Sequence, residues 1–211
     1  ITAAIVIGAD SGGNDLVAEV VSKVAGASGL VWADPSLPGA VAKTREFLGI
    51  EGFCGIKLHP LLDGYPADAP VVWPVAELAL EYGVPVLVHC GHAPFSLPWQ
   101  AERLAARYPQ LKMVLGHMGH GTITYIDAAI EAAERHPNIW LETSGMPMGP
   151  KIREAVTRVG AARVMFGSDS PCHHPLAEQA KVLAAGLSEQ ELAWVLHRSA
   201  QVVLFPAGTQ M

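Results

Sequence analysis

The chain has 211 residues, 50% of them apolar and 16% charged, with 14 Lys and Arg against 20 Asp and Glu for a formal charge of −6. An acidic chain with no basic cluster excludes nucleic acid as the main partner, since phosphate binding needs a basic surface. Three scattered cysteines (Cys54, Cys90, Cys172) exclude a disulfide framework and fit a reducing cytoplasm. The longest apolar stretch, residues 2–9, is too short to span a bilayer and lacks the basic flank of a signal peptide, so no membrane partner is expected.

The chain opens on Ile1 rather than Met, which reads as a processed start or a fragment. Residues 3–7 (AAIVI) form an apolar run closed by Gly8, Asp10 and Ser11, the pattern of a strand buried on both faces. Residues 15–27 repeat apolar positions at helical spacing. The alternation then continues: strand 30–33, helix 39–48, strand 55–58, helix 75–82, strand 84–88, helix 99–108, strand 112–115, helix 122–135, strand 139–142, helix 151–159 and strand 164–166. Helices over 176–185 and 189–204 close the chain. Strand–helix alternation with short apolar strands predicts a parallel sheet covered by helices. No linker or composition break interrupts it, so residues 1–211 read as one domain.

An open doubly wound sheet and a barrel both satisfy that pattern. Gly8-Ala9-Asp10-Ser11-Gly12-Gly13 matches neither GxGxxG nor the Walker pattern, so the phosphate loop of a doubly wound sheet is not evident. Every strand instead ends on a polar group: Asp10, Asp34, His59, His89, His117, Glu142 with Thr143 and Ser144, and Asp169. Functional groups at one end of all strands favour a TIM-type (β/α)8 barrel with seven βα units visible and the first strand missing. The gap would expose unpaired strand edges, covered by an N-terminal segment or by a partner chain, the latter implying a homo-oligomer.

RVMFGSDSP (163–171) leaves Asp169 just past a buried strand, where a carboxylate is costly unless it binds a metal, a cation or several donors. His89 and His117 end two further apolar runs. By strand alternation Leu87 shares a side with His89, Met113 and Leu115 share one with His117, and Lys57 shares one with His59, so all three histidines aim into a barrel mouth. Each residue has a plainer reading. His89 would be a hydrogen-bonded core histidine, Asp169 a helix N-cap before Ser170 and Pro171, His59 part of a turn, and Lys57 a satisfied buried cation or a carboxylate-binding group. His92, His120, His173 and His174 read as loop residues rather than ligands, although a His-x-x-His spacing occurs at His89/His92 and at His117/His120. Cys90 faces away from His89 and is no nucleophile.

In this order, GIKLHP (55–60), PVLVHCG (85–91), LGHMG (115–119) and GSDSP (167–171) resemble the amidohydrolase superfamily, specifically its amidohydrolase-related branch with the carboxymuconate-semialdehyde-type decarboxylases. The resemblance covers nearly the whole chain. It implies a (β/α)8 barrel holding a divalent metal, zinc with manganese as the alternative. His89 and Asp169 would be ligands, His117 would polarise substrate or transfer a proton, and His59 and Lys57 would contact a small-molecule substrate. The HxH or ExH pair that the family places on its first strand has no counterpart here. The leading expectation is metal-assisted hydrolysis of an amide, ester or lactone by an activated water, with Asp169 taking the proton and His117 stabilising the developing charge. The alternatives are non-oxidative decarboxylation of a small carboxylic acid, with Lys57 holding the carboxylate, and a non-catalytic barrel remnant. The stretches 61–73 and 92–98 are the candidate lid or specificity loops.

Overall fold

A computed structural model describes residues 3–205. Seven strands, β1 (Ala4–Ile7), β2 (Ala27–Trp32), β3 (Phe53–Leu58), β4 (Val86–His89), β5 (Met113–Gly116), β6 (Ile139–Glu142) and β7 (Val164–Met165), pair in chain order, each parallel to the next. Between them run α1 (Asn14–Lys23), α2 (Ala40–Leu48), the short α3 (Pro60–Asp63), α4 (Trp73–Tyr82), α5 (Pro98–Arg107), α6 (Ile123–Arg135) and α7 (Gly149–Val159). α8 (Pro175–Leu183), α9 (Glu189–Ala193) and α10 (Ser199–Leu204) follow β7. Among the described residues β7 and β1 do not pair. The sheet is a (β/α)8 barrel lacking one strand.

Alternation along the strands sorts the apolar side chains into two layers. Val31, Ile56, Val88, Leu115, Leu141 and Val164 pack outward against the helices. Leu30, Cys54, Leu87, Val114 and Met165 form the inner layer. A β-bulge sets the register of β3: Gly29 pairs with Phe53 and Leu30 with Gly55, leaving Cys54 as the extra residue. The bulge turns Cys54 to the inner layer and Phe53 outward against Phe47, with ring centroids 5.8 Å apart.

The expected helix 189–204 is three segments. A capping box starts it, with Ser188 N donating to Glu191 Oε2 (2.7 Å) and Glu191 N to Ser188 Oγ (3.3 Å). A π-helical turn (Trp194–Arg198) separates α9 from α10. In that turn the Val195 carbonyl accepts from Phe166 N at 2.7 Å, capping backbone next to β7. α10 then delivers Val203 and Leu204 into the inner layer, with Ile5 and Ile7 of β1 packed against it. The candidate lid stretch is ordered as α3 and a 3-10 turn at Pro70–Val72. No helix among the described residues is long and apolar enough to cross a membrane.

The role of α10 is checkable by urea unfolding. Leu204→Ala, at a residue buried in the inner layer, is expected to cost about 2–4 kcal/mol, and Val202→Ala, on the exposed face of the same helix, no more than about 0.5 kcal/mol. Equal losses at the two positions would remove α10 from the inner core.

Candidate metal and substrate site

β3 carries Lys57 in register with Trp32 of β2 and Leu87 of β4, which puts its side chain on the inner face. Two residues on, His59 caps α3: its Nδ1 accepts from Leu62 N at 3.2 Å. That bond fixes the ring proton on Nε2, so His59 presents a donor to the mouth. Its ring lies between Trp32 (centroids 5.2 Å, 11° between planes) and His89 (3.9 Å, 15°), and His89 stacks in turn on His92 (5.1 Å, 9°). Trp32 Nε1 donates to Asp63 Oδ2 at 3.0 Å, anchoring the outer end of this column of rings.

His89 is the last residue of β4 and, like Leu87, points inward as expected. β5 departs from expectation. Its inward residue is Val114, paired with Leu87, while Met113 and Leu115 face the helices. A regular continuation would therefore send His117 outward. Instead His117 and Met118 adopt left-handed φ values of +66° and +49°, and the turn brings the His117 ring to 4.7 Å from that of His89. Glu142, at the end of β6, holds that turn. Its Oε2 accepts from His117 N (3.1 Å) and Ser144 Oγ (2.7 Å), and its Oε1 accepts from Ser144 N (2.5 Å). His117 Nδ1 lies 3.0 Å from the Ser144 carbonyl, which only accepts, so the proton sits on Nδ1 and Nε2 keeps its lone pair.

The structure adds two residues that the sequence reading placed among loop residues. His92 and His120 do lie on loops, but His89 Nε2 is 2.9 Å and His120 Nε2 3.3 Å from His92 Nδ1, and one ligand atom of each of the three lies within 4.8 Å of the others. Backbone contact between the two loops brings them together. A Cβ on Gly91 (φ +125°) would lie 2.6 Å from Gly119 C, and one on Gly121 would lie 2.1 Å from Gly91 O. The signal in the sequence was a repeated phrase, His-Cys-Gly-His at 89–92 and His-Met-Gly-His at 117–120, after consecutive strands. Three imidazole rings are a donor set that fits a divalent transition metal.

Asp169 stands outside that group of three, with φ +48° and a half-exposed side chain whose Oδ2 is 3.9 Å from His173 Nε2. It is not the N-cap of α8. His174 takes that place, accepting from Leu176 N at 3.2 Å. The charge of Asp169 nevertheless reaches both Lys57 and His117, raising the proton affinity of each, so it faces the same mouth.

Burial dominates the protonation of these groups. Desolvation pushes His59 down to about 3 and His117 and His120 to about 4, and holds His89 far below the usual imidazole range; the Lys57 charge adds to the effect at His59, His89 and His117, and Asp169 opposes it at His117. All four rings are neutral at pH 7. Lys57, only 6% exposed, is pushed down to about 8 by burial, opposed by the charges of Glu142, Asp169 and Asp63. It has no hydrogen-bond or ion-pair partner among the described residues. Glu142 is raised by burial against its bonds to Ser144 and His117. Cys90 faces the helices, as expected, and burial pushes its thiol to about 12, which rules it out as a nucleophile at neutral pH. A cavity of about 240 Å³ opens beyond Trp32, lined among others by Asn14, Asp34 and Lys43.

The sequence profile of the amidohydrolase family matches residues 3–205. This chain belongs to the amidohydrolase family. It is 25% identical to the gamma-resorcylate decarboxylase of Polaromonas sp. (strain JS666 / ATCC BAA-500), over 75% of this chain and 64% of that enzyme, and so spans under two thirds of that curated relative. Among solved structures, an uncharacterised TIM-barrel protein of Bordetella bronchiseptica superposes with a TM-score of 0.83 at 20% identity, covering 97% of this chain and 78% of the other. A dihydroxybenzoic acid decarboxylase of Polaromonas sp. JS666, solved with manganese and the inhibitor 2-nitroresorcinol, superposes with a TM-score of 0.71 at 21% identity, covering 94% and 77%.

The backbone contact between the two loops is testable by itself. Gly91→Ala is expected to cost on the order of 2 kcal/mol or more in chemical denaturation, because the added methyl meets backbone and the positive φ disfavours any Cβ. Wild-type stability in that variant would mean that the loops can separate.

Proposed function

We propose that this chain is the barrel of a metal-dependent, non-oxidative decarboxylase of small carboxylic acids, with hydroxybenzoates as the substrate class. Decarboxylation, the alternative to hydrolysis in the sequence reading, gains most from the relatives, since the curated match and the manganese-bound neighbour are both decarboxylases. The observation that carries the reading is Lys57, a buried ammonium beside the histidine cluster with no partner of its own. A buried ammonium without a hydrogen-bond partner is expensive even where Glu142, Asp169 and Asp63 offset part of its desolvation, and a substrate carboxylate seated against it reduces that cost.

In this reading Lys57 holds the carboxylate and His59 donates Nε2–H to a second substrate oxygen. His89 and Asp169 would hold the metal, and the half-exposed Asp169 side chain is open to solvent. A divalent ion, zinc or manganese, supplies Lewis-acid charge that steadies the negative charge developing as CO₂ leaves. As the carbon–carboxylate bond breaks, its electron pair stays on the ring carbon and takes up a proton. His117 Nε2, held in place through Ser144 and Glu142, passes that proton from solvent by way of Asp169. One proton enters, CO₂ leaves, and no oxidant or water is consumed.

The test is product analysis. The 211-residue chain is loaded with Zn²⁺ or Mn²⁺ and given a panel of hydroxybenzoates, and CO₂ and the corresponding phenol are measured. Lys57→Met is expected to raise KM about 10- to 100-fold, the worth of one charge-assisted hydrogen bond, with a smaller effect on kcat. Affinity for the acid is also expected to fall as pH rises through about 8, because Lys57 then loses its proton. Release of hydrolysis products from lactones or amides without any CO₂ from the acids would overturn the reading in favour of hydrolysis.

A further inference from the structure

We propose that the buried Glu178–Lys181 pair of α8 sets the tautomer of His117 by orienting the peptide between Ser144 and Gly145, which makes Glu178 a positioning residue for the proton step. The catalytic meaning rests on the decarboxylase reading above; the effect on the tautomer rests on the geometry of the loop after β6. Both side chains act through backbone, since their bonds run to Gly145, to Thr143 and to each other.

The sheet carries this loop as far as Thr143, whose amide donates to the Met165 carbonyl at 3.0 Å. Glu142 then holds Ser144 by its amide and its hydroxyl. The next peptide is held by α8. Gly145 N donates to Glu178 Oε2 at 3.0 Å, while Lys181 Nζ donates to that same oxygen and, at 2.7 Å, to the Thr143 carbonyl. Carboxylate and ammonium thus grip the backbone on either side of Ser144. Their side chains are nearly enclosed, at 10% and 13% exposed. A buried ion pair is a costly tether where apolar packing would serve, but its bonds are directed and packing is not.

Direction matters because the Ser144 carbonyl and the Gly145 amide belong to one planar trans peptide and face opposite ways. With that N–H held on Glu178, the carbonyl faces His117 Nδ1 at 3.0 Å and keeps the proton there. Ser144 Oγ, also 3.0 Å from Nδ1, gives its one proton to Glu142 and so adds a second acceptor. Turning the peptide over would aim its N–H at Nδ1, favour the proton on Nε2 and convert His117 from an acceptor into a donor at the mouth. Gly145, at φ +64°, is the residue type that tolerates such a rotation. The bond to Glu178 opposes it from the far side of the peptide. The carboxylate charge also polarises the peptide and strengthens its carbonyl as an acceptor.

The experiment is ¹⁵N–¹H correlation of the histidine rings in the Zn²⁺-loaded chain, the His117 signals being those missing from His117→Gln, together with kcat and KM for CO₂ release. Wild type is expected to show the Nδ1–H tautomer. Glu178→Ala is expected to populate the Nε2–H tautomer and to lower kcat on the order of 10-fold, the worth of one hydrogen bond to a charged group. KM is expected to stay within about 3-fold, because Lys57 and His59 are untouched. Glu178→Ala/Lys181→Met is expected to give the same change without a stranded ammonium. Glu178→Gln keeps an acceptor for Gly145 N and is expected to restore the Nδ1–H tautomer. Lys151→Met removes a similarly enclosed ammonium whose partners, Asp127 and Glu154, lie on α6 and α7, and is expected to leave the tautomer as it is.

An unchanged His117 tautomer in both Glu178→Ala and the double variant would overturn the proposal, as would an equal change in Lys151→Met. A changed tautomer with wild-type kcat supports the positioning and removes His117 from the proton step of the proposed function. If wild type releases no CO₂ from any acid, the proposed function falls, and the ring signals alone decide whether Glu178 sets the tautomer.

Discussion

Where the turns after β4 and β5 meet, the backbones of Gly91, Gly119 and Gly121 touch with no room for a side chain between them. Much of the mouth follows from that contact. Two strands of the sheet are necessarily neighbours at hydrogen-bonding distance, but the loops beyond them ordinarily splay apart to make room for side chains. Here they remain in contact, so His92 and His120 arrive side by side although they are 28 positions apart in the chain. The left-handed turn at His117 and Met118 carries β5 into the same contact, and Glu142 secures it with three hydrogen bonds. A carboxylate buried at the end of β6 thereby governs the direction of a histidine on β5.

Electrostatics in the mouth is a balance between desolvation and a few compensating charges. Burial drives the histidines neutral, drives Lys57 down and Glu142 up, and each of the last two partly restores the other's charge. Neutral rings keep the lone pairs that ligation or proton transfer needs. The tautomers are also assigned by local bonds: His59 spends Nδ1 on the Leu62 amide and shows a donor, whereas His117 spends its Nδ1–H on the Ser144 carbonyl and shows an acceptor. Identical side chains thus serve opposite roles through their backbone partners.

The fold was legible because its signal is simple. Strands buried on both faces read as short apolar runs, and all seven were found, with boundaries off by a few residues. The polar group closing each run indicated the barrel and located Lys57, His59, His89, His117, Glu142 and Asp169 at one end. Simple alternation failed at two points for local reasons. It put Met113 and Leu115 on the inner face because it assumed that β5 runs straight through His117, and no rule of periodicity foresees two consecutive non-glycine residues at positive φ. It also missed the bulge at Cys54, where the extra residue reverses Phe53. His92 and His120 were visible as a repeated spacing, but only the contact between glycine backbones gives that spacing meaning, and such contacts are tertiary.

The histidines crowd the ends of β3, β4 and β5, while the open cavity lies beside β1 and β2, and Trp32 alone among the cavity's walls joins the column of stacked rings. The ring cluster and the cavity are therefore separate features that share Trp32 as a wall. Asn14 ties the two together, since its side chain donates to the Trp32 carbonyl and accepts from the Trp32 amide, both at 2.9 Å. Trp32 is the point of contact between them. A substitution there alters the cavity wall and the packing of His59 on His89 together, so the shape of one cannot change independently of the order of the other.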